Sequence, residues 1–588
     1  MPSRTTSRTD SPEVAAQKAA IAELERRLWA GGLDDALLEA YQAAHRELER
    51  RIAAQGADDR HRFVVVIPVA DRPQHLQSCL ASLLELCHLY GYGGQHDGRY
   101  RKVAAFIADD SRDPSNIAIN RDLARRFDAD GLTTTYFGLD EQGDLLDGLD
   151  PDTRAALASV LGQPEPEISG HKGSAVMRNI AYLRLAELAG TGERVLFHSI
   201  DSDQEFTVKV STAAGDREVY AVSFFHALDE IFGCTDTLVL TGKVIGDPPV
   251  SPAVMAGNFL DDVIDFLRQM AESESGTPCS HHRPEDRRQG EAAYHDMADL
   301  FGFKQADAAY RYRCNLTGRH SEADCFDQFA GRLGSFFYGE HPTRVSYYQY
   351  AAAVASVQPA RTVYTGNYVF RPEGLRYFVP FAGLRLRMLG PSLGRVIRSE
   401  IDGRFVSANL PMLHKRTVED SGRSEFRPGI EAGDAVIELC GEFERQFQGD
   451  VMLFSLERLT AAGFPGRVPD TAEAEATVEA VHGEMLAKYQ AKHAAIVDKL
   501  GDLRTLLREP GQWWHRAPER AAAVGHFESF IASMEHNFGA DSPCYARILG
   551  NWPQWRADLV AAIARYPADR QAWNALLAAL RAAPAPQD

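Results

Sequence analysis

The chain lacks an excess of basic residues and any long hydrophobic run. Its 588 residues contain 63 Lys and Arg against 82 Asp and Glu, a formal net charge of −19. This balance argues against a general nucleic-acid binder and against broad adhesion to anionic membranes. No apolar stretch reaches the length of a membrane span, and the polar residues 1–12 contain no signal-peptide core. These absences predict a cytoplasmic protein with no transmembrane segment, in which a local cluster or a metal must meet any anionic ligand.

Cysteine is also scarce, with eight residues and no paired CxxC motif. Thiols scattered through a large chain are typical of reduced residues rather than of a disulfide framework. Six Cys and His residues fall within one polar segment, but their spacings fit no paired zinc arrangement. The sequence therefore favours buried thiols and scattered surface histidines over a structural zinc site. The six are Cys279, His281, His282, His295, Cys314 and Cys325.

Helical and strand-like patterns divide the chain into three regions. Residues 1–60 have apolar residues at helical spacing, which predicts a helical extension that packs on the core or forms a homo-oligomer contact. Residues 61–465 alternate β-branched runs with amphipathic segments, which predicts a doubly wound α/β sheet with ligands at the carboxyl ends of its strands. Within this region, the acidic, Gly-rich segment 140–166 is predicted to be a surface loop. Residues 466–588 are predicted to be mostly helical.

Two predicted strands end in pairs of acidic residues. The apolar run 103–108 precedes Asp109 and Asp110, and the run 194–200 precedes Asp201-Ser202-Asp203. Carboxylates at the exposed end of a buried strand can hold a divalent cation against a diphosphate. A single Asp-x-Asp triplet is equally consistent with a turn or a helix cap. The repetition at strand ends favours a ligand site.

Residues 63–415 resemble a GT-A nucleotide-diphospho-sugar glycosyltransferase, related to glycosyltransferase family 2. Four landmarks occur in the order expected for that family. The resemblance implies a Rossmann-like, doubly wound mixed sheet, with a nucleotide half over about 61–205 and an acceptor half over about 206–420. The landmarks are Val65-Val66-Ile67-Pro68-Val69 with Arg72-Pro73, Ala108-Asp109-Asp110-Ser111, the Gly-rich segment 170–179, and Asp201-Ser202-Asp203.

These matches imply a binding site for a UDP- or GDP-sugar. The first landmark resembles the strand and turn that cradle the base, and Asp109 or Asp110 would recognise a base edge or a ribose hydroxyl. Ser111 follows without the family's glycine, which leaves the choice between the two acids open. Backbone N–H groups and basic residues of 170–179 would face phosphates, unless this is an ordinary capped helix. The implied nucleotide-sugar residues are Pro68, Val69, Asp71, Arg72, Asp109, Asp110, Lys172, Arg178, Asn179, Asp201, Ser202, Lys243 and Asn367.

The same resemblance implies a divalent metal site for Mn²⁺ or Mg²⁺. Asp203 would contact the ion most directly, and Asp201 would hold the ribose or a metal-bound water. His414 follows a predicted strand and the Thr365-Gly366-Asn367 turn, where the family places a further ligand, although lone histidines are more often structural. The predicted metal ligands are therefore Asp201, Asp203 and His414.

The acceptor half departs from the family pattern. Inverting members carry an acid before the terminal histidine, because a carboxylate must deprotonate the acceptor hydroxyl. Residues 381–390 contain no acid. This departure favours the retaining enzymes, such as mannosylglycerate and glucosyl-phosphoglycerate synthases, and leaves the stereochemistry open. Lys243 and Asp247, in a proline-stiffened segment, are candidates to face the sugar or acceptor, with a structural turn as the alternative. The catalytic candidates are Asp203, Lys172, Asp247 and Glu373.

The sequence thus predicts a metal-dependent hexosyltransferase that acts on a hydroxyl acceptor, either a small molecule or a short glycan. One alternative is a sugar nucleotidyltransferase on a related fold, although Pro68-Val69-Ala70-Asp71-Arg72 lacks the Gly-rich basic signature expected after the first strand. The other alternative is a non-catalytic nucleotide-sugar-binding scaffold, because the usual base is missing.

Overall fold

The computed structural model describes residues 10–31, 33–56, 58–163, 169–189, 194–212, 215–249, 251–281, 312–418, 421–433 and 435–582. The strands are β1 (Arg62–Val69), β2 (Gln95–His96), β3 (Arg99–Tyr100), β4 (Val103–Asp109), β5 (Thr134–Phe137), β6 (Val195–Ile200), β7 (Gln204–Glu205), β8 (Val208–Thr212), β9 (Gly215–Val219), β10 (Val239–Gly246), β11 (Gln358–Pro359), β12 (Asn367–Phe370), β13 (Phe405–His414), β14 (Glu431–Ala432) and β15 (Ile437–Glu438).

The helices are α1 (Pro12–Ala30), α2 (Asp35–Ala54), α3 (Pro73–Tyr90), α4 (Pro114–Ala129), α5 (Leu139–Asp147), α6 (Pro151–Ala156), α7 (Ala158–Leu161), α8 (Ser174–Leu188), α9 (Phe224–Cys234), α10 (Pro252–Glu272), α11 (Glu322–Arg332), α12 (Leu389–Ile401), α13 (Cys440–Ala461), α14 (Thr471–Leu507), α15 (Trp513–Arg516), α16 (Ala521–Phe538), α17 (Pro543–Gly550) and α18 (Trp552–Ala582). Short 3-10 turns cover Leu333–Tyr338, Pro372–Arg376, Ala382–Leu384, Asp402–Arg404 and Pro518–Arg520.

The central sheet combines parallel strands with three antiparallel ones, β7, β11 and β12. Its strand order is β11-β13-β10-β12-β6-β1-β4-β5, and β7 pairs with β13. β1 is parallel to β4 and β6, β4 to β5, and β10 to β13. β12 runs antiparallel to both β6 and β10, so these two strands point the same way. The carboxyl ends of the parallel strands therefore meet at one edge, and the predicted mixed α/β architecture is confirmed.

Helices cover both faces of this sheet. Along β1, Val64 and Val66 belong to one hydrophobic cluster, whereas Phe63 and Val65 belong to the other. The first cluster includes α8, α10 and the helices after β15, and the second includes α1 to α4 and α9. Because both faces are buried, these strands are almost continuously apolar instead of alternating with polar residues.

Both helical extensions pack against the sheet. The α2 residue Gln42 donates a hydrogen bond to the Tyr220 carbonyl at 2.9 Å, and the α18 residue Trp573 donates to the Leu375 carbonyl at 2.9 Å. In the described part of the chain, no helix combines the length and apolarity that a bilayer crossing requires.

Two predictions from the sequence are wrong. The described part of the predicted loop 140–166 forms α5, α6 and α7, because Asp150 caps the Thr153 N–H at 2.9 Å and apolar residues such as Leu157 reach the core. The prediction of reduced thiols fails for Cys440 and Cys544, which form a disulfide where α13 packs on α17.

Candidate functional site

Charged side chains gather where the parallel strands end. At the carboxyl ends of β10 and β13, Gly246 pairs with His414. β7 then pairs Gln204 with the same histidine. The Lys415 N–H donates to the Asp203 carbonyl at 2.9 Å. These backbone contacts hold Asp203, which directly precedes β7, against His414.

Asp203 and His414 form the buried centre of the site, with side chains 5% and 1% exposed. His414 Nε2 lies 3.5 Å from Asp203 Oδ2, and Nδ1 lies 3.0 Å from the Asp247 carbonyl oxygen. A carbonyl only accepts, so Nδ1 carries the proton. Burial and the nearby Arg416 lower the pKa of His414 below its ordinary value. A neutral ring therefore directs the lone pair of Nε2 toward a carboxylate oxygen, and a bound cation would stabilise this arrangement.

Asp203 remains ionised in this position. Burial raises its pKa, but the nearby positive charges, above all that of Arg72 and also that of Arg416, more than offset that effect and hold the pKa well below its ordinary value. Arg72 donates to Asp203 Oδ2 at 3.1 Å. Asp203 Oδ1 and Arg72 Nε have no hydrogen-bond partner among the described residues. Buried polar atoms are rarely left unsatisfied, so this carboxylate has an oxygen available for a ligand.

Asp201 occupies the more open side of the same site, with its side chain 34% exposed. Arg178 donates to Asp201 Oδ1, and the Asp201 N–H donates to Gln204 Oε1 at 3.2 Å. A Cβ on Gly366 would lie 2.7 Å from Asp201 Oδ2. A side chain at 366 would therefore force the Asp201 carboxylate to shift.

A cavity of about 760 Å³ opens beside these acids, and we call it the arginine-lined cavity. Eight arginines line it, whereas its acidic lining residues are Asp110, Asp201, Asp203 and Glu431. Pro68, Val69 and Ser202 also contribute to its lining. In a chain of net charge −19, this is the local basic cluster that an anionic ligand needs. The arginines are Arg72, Arg112, Arg178, Arg385, Arg387, Arg416, Arg427 and Arg445.

Arg387 lies near three of the other arginines, Arg416, Arg427 and Arg445, and its charge acts on all three. Arg387 donates to Glu442 Oε1 at 2.6 Å. Within the described residues, Arg416, Arg427 and Arg445 have no carboxylate oxygen within 4.0 Å. Burial, assisted by neighbouring guanidinium groups, lowers the pKa of all three. Arg416 is buried, whereas Arg427 and Arg445 are partly buried. Charges withdrawn from water without an ion-pair partner are unfavourable, so this cluster favours the binding of an anion.

The segment 421–433 closes one side of the cavity. Its residue Phe426 stacks on His171 with ring centroids 4.2 Å apart and planes at 14°. Glu425 accepts hydrogen bonds from two backbone N–H groups in the first turn of α3, both at 3.0 Å. Glu425 therefore caps α3, and the aromatic face of Phe426 stands beside the arginines, where a nucleobase could stack.

Of the two acids after β4, Asp110 lines the cavity and Asp109 does not. Asp109 Oδ2 accepts hydrogen bonds from Asn120 at 2.9 Å and Tyr136 at 2.8 Å, and burial raises its pKa. Asp110 pairs with Lys172 at 2.8 Å. The structure therefore favours Asp110 for ligand contact and Asp109 for a supporting role.

Asn179 and Asn367 are buried connectors outside the cavity lining. Asn367 Nδ2 donates to the carbonyls of Lys243 and Leu410 at 2.8 Å, and its Oδ1 lies 3.0 Å from His198 Nε2. The Asn367 bonds join β12 to β6, β10 and β13. Asn179 donates to the Val379 carbonyl at 3.0 Å and to the Val160 carbonyl, in α7, at 3.1 Å. Lys243, on β10, is also outside the lining.

Asp71, Asp247 and Lys172 border the cavity without lining it. Asp71 accepts two loop N–H groups at 3.1 Å, and although burial raises its pKa, these bonds lower it overall. Asp247 accepts the Arg416 N–H at 2.7 Å, and burial raises the pKa of Asp247 to about 7. Lys172 lines a neighbouring cavity of about 610 Å³, which meets the first at Arg385.

Glu373 lies at the opposite end of the sheet. The antiparallel pairing of β12 with β6 places Phe370 beside Phe197, near the amino end of β6. Glu373 follows Phe370 and is exposed to solvent, whereas Asp203 follows the carboxyl end of β6. The structure therefore removes Glu373 from the candidate site.

The arginine cluster and Phe426 are absent from the sequence-based prediction. Arg385 and Arg387 lie in the segment 381–390, which was notable in the sequence only for its missing acid. An Arg-x-Arg pair there, and Arg416 two residues after His414, were the available signals. Arg427 and Arg445 reach the cavity only through the packing of distant segments, which leaves no local pattern.

No protein-family model matches the chain, and no curated protein matches it. Among solved structures, it is similar to the mannosyltransferase PcManGT from Pyrobaculum calidifontis in complex with GDP-Man and Mn²⁺, at 10% sequence identity and a TM-score of 0.28. The alignment covers 93% of this chain and 96% of that chain. A TM-score this low adds nothing to what the geometry of the site supports.

Proposed function

We propose that the protein is a metal-dependent glycosyltransferase of the GT-A type, which transfers a hexose from a UDP- or GDP-sugar to a hydroxyl acceptor. The observation that carries this proposal is the pair formed by Asp203 and His414, where an ionised carboxylate and a neutral imidazole nitrogen face each other at 3.5 Å. The adjacent cavity of about 760 Å³ falls in the usual range for small-molecule sites.

Asp201, Asp203 and His414 would hold Mn²⁺ or Mg²⁺. Carboxylate oxygens suit both ions, and an imidazole nitrogen is compatible with Mn²⁺. The unpartnered Oδ1 of Asp203 and the lone pair of His414 Nε2 fit this role. When bound, such an ion supplies positive charge that stabilises a diphosphate as a leaving group.

The chain's own residues would bind the rest of the donor. Arg387, Arg416 and Arg427 present guanidinium groups to the cavity, and guanidinium binds phosphate oxygens through paired hydrogen bonds. Phe426 offers an aromatic face for a base, and Asp110 offers a carboxylate acceptor for a ribose or base donor. Burying the diphosphate here would neutralise the arginine cluster.

The acceptor side supports the retaining alternative. Arg385 and Arg387 occupy the segment where an inverting enzyme carries its base. Apart from Asp110, Asp201 and Asp203, Glu431 is the remaining acid in the described lining of the cavity. The anomeric configuration of the product, followed by NMR, tests this point. We expect the product to retain the anomeric configuration of the donor. An inverted product whose formation is abolished by Glu431→Gln would instead identify Glu431 as a carboxylate base.

The direct test of the proposal is turnover of UDP- and GDP-sugars with Mn²⁺, with Mg²⁺ and with a chelator. We expect metal-dependent release of a nucleoside diphosphate that falls by about 100-fold or more in Asp203→Asn. Glu373→Gln, at the opposite end of the sheet, is the matched control and should retain activity. Metal-independent turnover that survives Asp203→Asn would contradict the proposal.

Related assays distinguish the two alternatives, a sugar nucleotidyltransferase and a non-catalytic scaffold. Release of pyrophosphate from a nucleoside triphosphate and a sugar phosphate would identify a nucleotidyltransferase. Binding of nucleotide-sugars across the whole panel without turnover would identify a non-catalytic scaffold.

A further inference from the structure

Three cysteines and one histidine converge at a site separate from the arginine-lined cavity. The ligand atoms of Cys279, Cys314, His320 and Cys325 all lie within 4.8 Å of one another. Cys325 Sγ is 3.1 Å from Cys279 Sγ and 3.4 Å from Cys314 Sγ, and Cys314 Sγ is 3.3 Å from His320 Nε2. None of these three cysteines forms a disulfide, and Cys314 and Cys325 are buried.

We infer that Cys279, Cys314, His320 and Cys325 bind one structural Zn²⁺. Three thiolates and one imidazole complete a tetrahedral zinc site, and four protein ligands leave no open position for catalysis. Zinc–sulfur bonds of about 2.3 Å imply sulfur–sulfur separations of about 3.8 Å in a tetrahedron. The observed distances of 3.1 and 3.4 Å require only a small spreading of the sulfurs.

The surrounding polar groups are oriented for metal binding. The N–H groups of His281 and Leu316 point to the sulfurs of Cys279 and Cys314, each two residues earlier, at 3.4 and 3.3 Å. Such donors stabilise negative charge on a thiolate. His320 Nδ1 lies 2.9 Å from the Gly318 carbonyl, which fixes the proton on Nδ1, so Nε2 carries the lone pair that a metal ligand requires.

Helix α11 gives further support. Cys325 lies in its first turn, where the partial positive charge of the helix start favours a thiolate. Backbone bonds join the three ligand segments, since Cys279 N–H donates to the His320 carbonyl at 3.1 Å and Cys314 N–H to the His281 carbonyl at 3.3 Å. The ligands are thus held in place by the fold.

The sequence favoured buried thiols and scattered surface histidines here; Cys314 and Cys325 are buried, and both converge with Cys279 and His320. The ligands come from three segments, and no two of them form a CxxC pair, so spacing alone concealed the site. His281 instead contacts Glu322, with Nε2 3.1 Å from Oε2. His282 and His295 lie outside the described residues.

The zinc site would also support the arginine-lined cavity from a distance. Helix α11 leads directly into the turn Leu333–Tyr338, and the Tyr338 carbonyl accepts a hydrogen bond from Arg427. A metal that fixes the start of α11 therefore stabilises the element that positions a cavity arginine. The inference itself does not depend on what the cavity binds.

The first test is the zinc content of the full-length protein, purified without chelators. We expect one zinc per chain, lost in Cys314→Ser and in His320→Ala. Cys234→Ser removes a free thiol outside the cluster and should retain the zinc, as should Asp203→Asn. Zinc that is lost in Asp203→Asn but kept in Cys314→Ser would place the ion in the cavity and overturn the inference.

The second test uses the wild-type chain, so it does not depend on whether a variant folds. Replacing the metal with Co²⁺ should give the intense visible bands of a tetrahedral site and a thiolate-to-cobalt charge-transfer band. A weak octahedral spectrum without charge transfer would overturn the inference. A Cys279–Cys325 disulfide in peptide maps of the unreduced protein would overturn it as well.

Discussion

At the scale of single residues, the candidate site places buried charges of opposite sign at its centre and mainly positive charges along the rest of the cavity lining. Arg72 pairs with Asp203 and keeps that carboxylate ionised, and Arg178 pairs with Asp201. Arg416 has no comparable partner among the described residues, and its Nε makes no hydrogen bond there. The arginine-lined cavity is therefore less stable without a ligand than with a bound anion.

The first prediction concerns Arg416, which is 9% exposed. Replacing a buried, unpaired ion with an apolar side chain of similar size is often neutral or stabilising. We expect Arg416→Met to keep or raise the melting temperature of the ligand-free protein. Loss of a charge-assisted hydrogen bond should weaken the binding of UDP or GDP by about 10- to 100-fold. Calorimetric titration and thermal unfolding measure both effects.

The control for this prediction is Arg423→Met, because Arg423 is an exposed arginine in the segment 421–433. It should change neither nucleotide affinity nor stability. Equal losses of affinity in the two variants would show that overall charge, and not the buried cluster, attracts the nucleotide.

At the scale of secondary-structure elements, the segment 421–433 is held over the cavity by its contact with α3. Arg72, at the N-cap position of α3, makes no side-chain cap. Glu425 caps the helix instead. It accepts hydrogen bonds from two backbone N–H groups of the first turn, and its carboxylate lies 2.6 Å from His75 Nδ1. One carboxylate thus fixes both a helix start and the position of Phe426.

The second prediction is that Glu425→Ala affects stability and binding together. Loss of a helix cap costs about 0.5–2 kcal/mol. Because Phe426 and Arg427 lose their anchor, the affinity for UDP or GDP should also fall several-fold. Glu425→Gln keeps one oxygen acceptor and should lose less of both. Unchanged affinity in Glu425→Ala would show that the segment does not depend on this contact.

The third prediction concerns the pH dependence of the contact between α13 and α14. Asp450 is buried and accepts hydrogen bonds from Tyr489 at 2.6 Å and Gln446 at 2.8 Å. Burial raises the pKa of Asp450 to about 7. The folded protein therefore keeps a proton that the unfolded chain releases near pH 4, and stability falls as pH rises from about 4 to 7.

Asp450→Asn cannot release this proton, so it should be the more stable protein at pH 8, by on the order of 3 kcal/mol. Below about pH 4 the two proteins should converge, because aspartate is then protonated in both states. Urea unfolding at several pH values measures the difference. Asp498→Asn, at an exposed site on α14, is the control and should show no such trend. A constant difference across the pH range would contradict the assignment.

The sequence could predict those elements whose residues lie close together in the chain. The apolar runs became β1, β4 and β6, and the acids that follow them meet at one edge because parallel strands end there. The location of Glu373 at the other edge could not be predicted, because it depends on the antiparallel direction of β12. Arg427 and Arg445 could not be predicted, because only tertiary packing brings them together.

At the scale of the whole molecule, one hydrophobic cluster joins the sheet to the C-terminal helices. It runs from Val64 on β1 to Trp573 and Leu577 on α18. Trp573 also packs against Phe378, with ring centroids 5.6 Å apart. The C-terminal helices therefore form part of the main core and are expected to unfold together with the sheet.

The fourth prediction follows from this shared core. Trp573→Ala removes a fully buried side chain, which typically costs about 3–5 kcal/mol. We expect a single calorimetric transition that shifts as a whole to lower temperature. Leu549→Ala, at a leucine that is 49% exposed, should leave the transition in place. Two separate transitions, with the second at the wild-type temperature, would show that the helical region unfolds independently.

The most direct measurement of the central claim is the binding of Mn²⁺, followed by electron paramagnetic resonance during titration with and without UDP or GDP. The fifth prediction is that wild-type protein binds Mn²⁺ more tightly when a nucleoside diphosphate is present. Asp203→Asn should weaken this binding by about 10- to 100-fold or more, while Glu373→Gln should match wild type. Equal binding of Mn²⁺ by wild type and Asp203→Asn would contradict the assignment of Asp203 and His414 as the metal-diphosphate site.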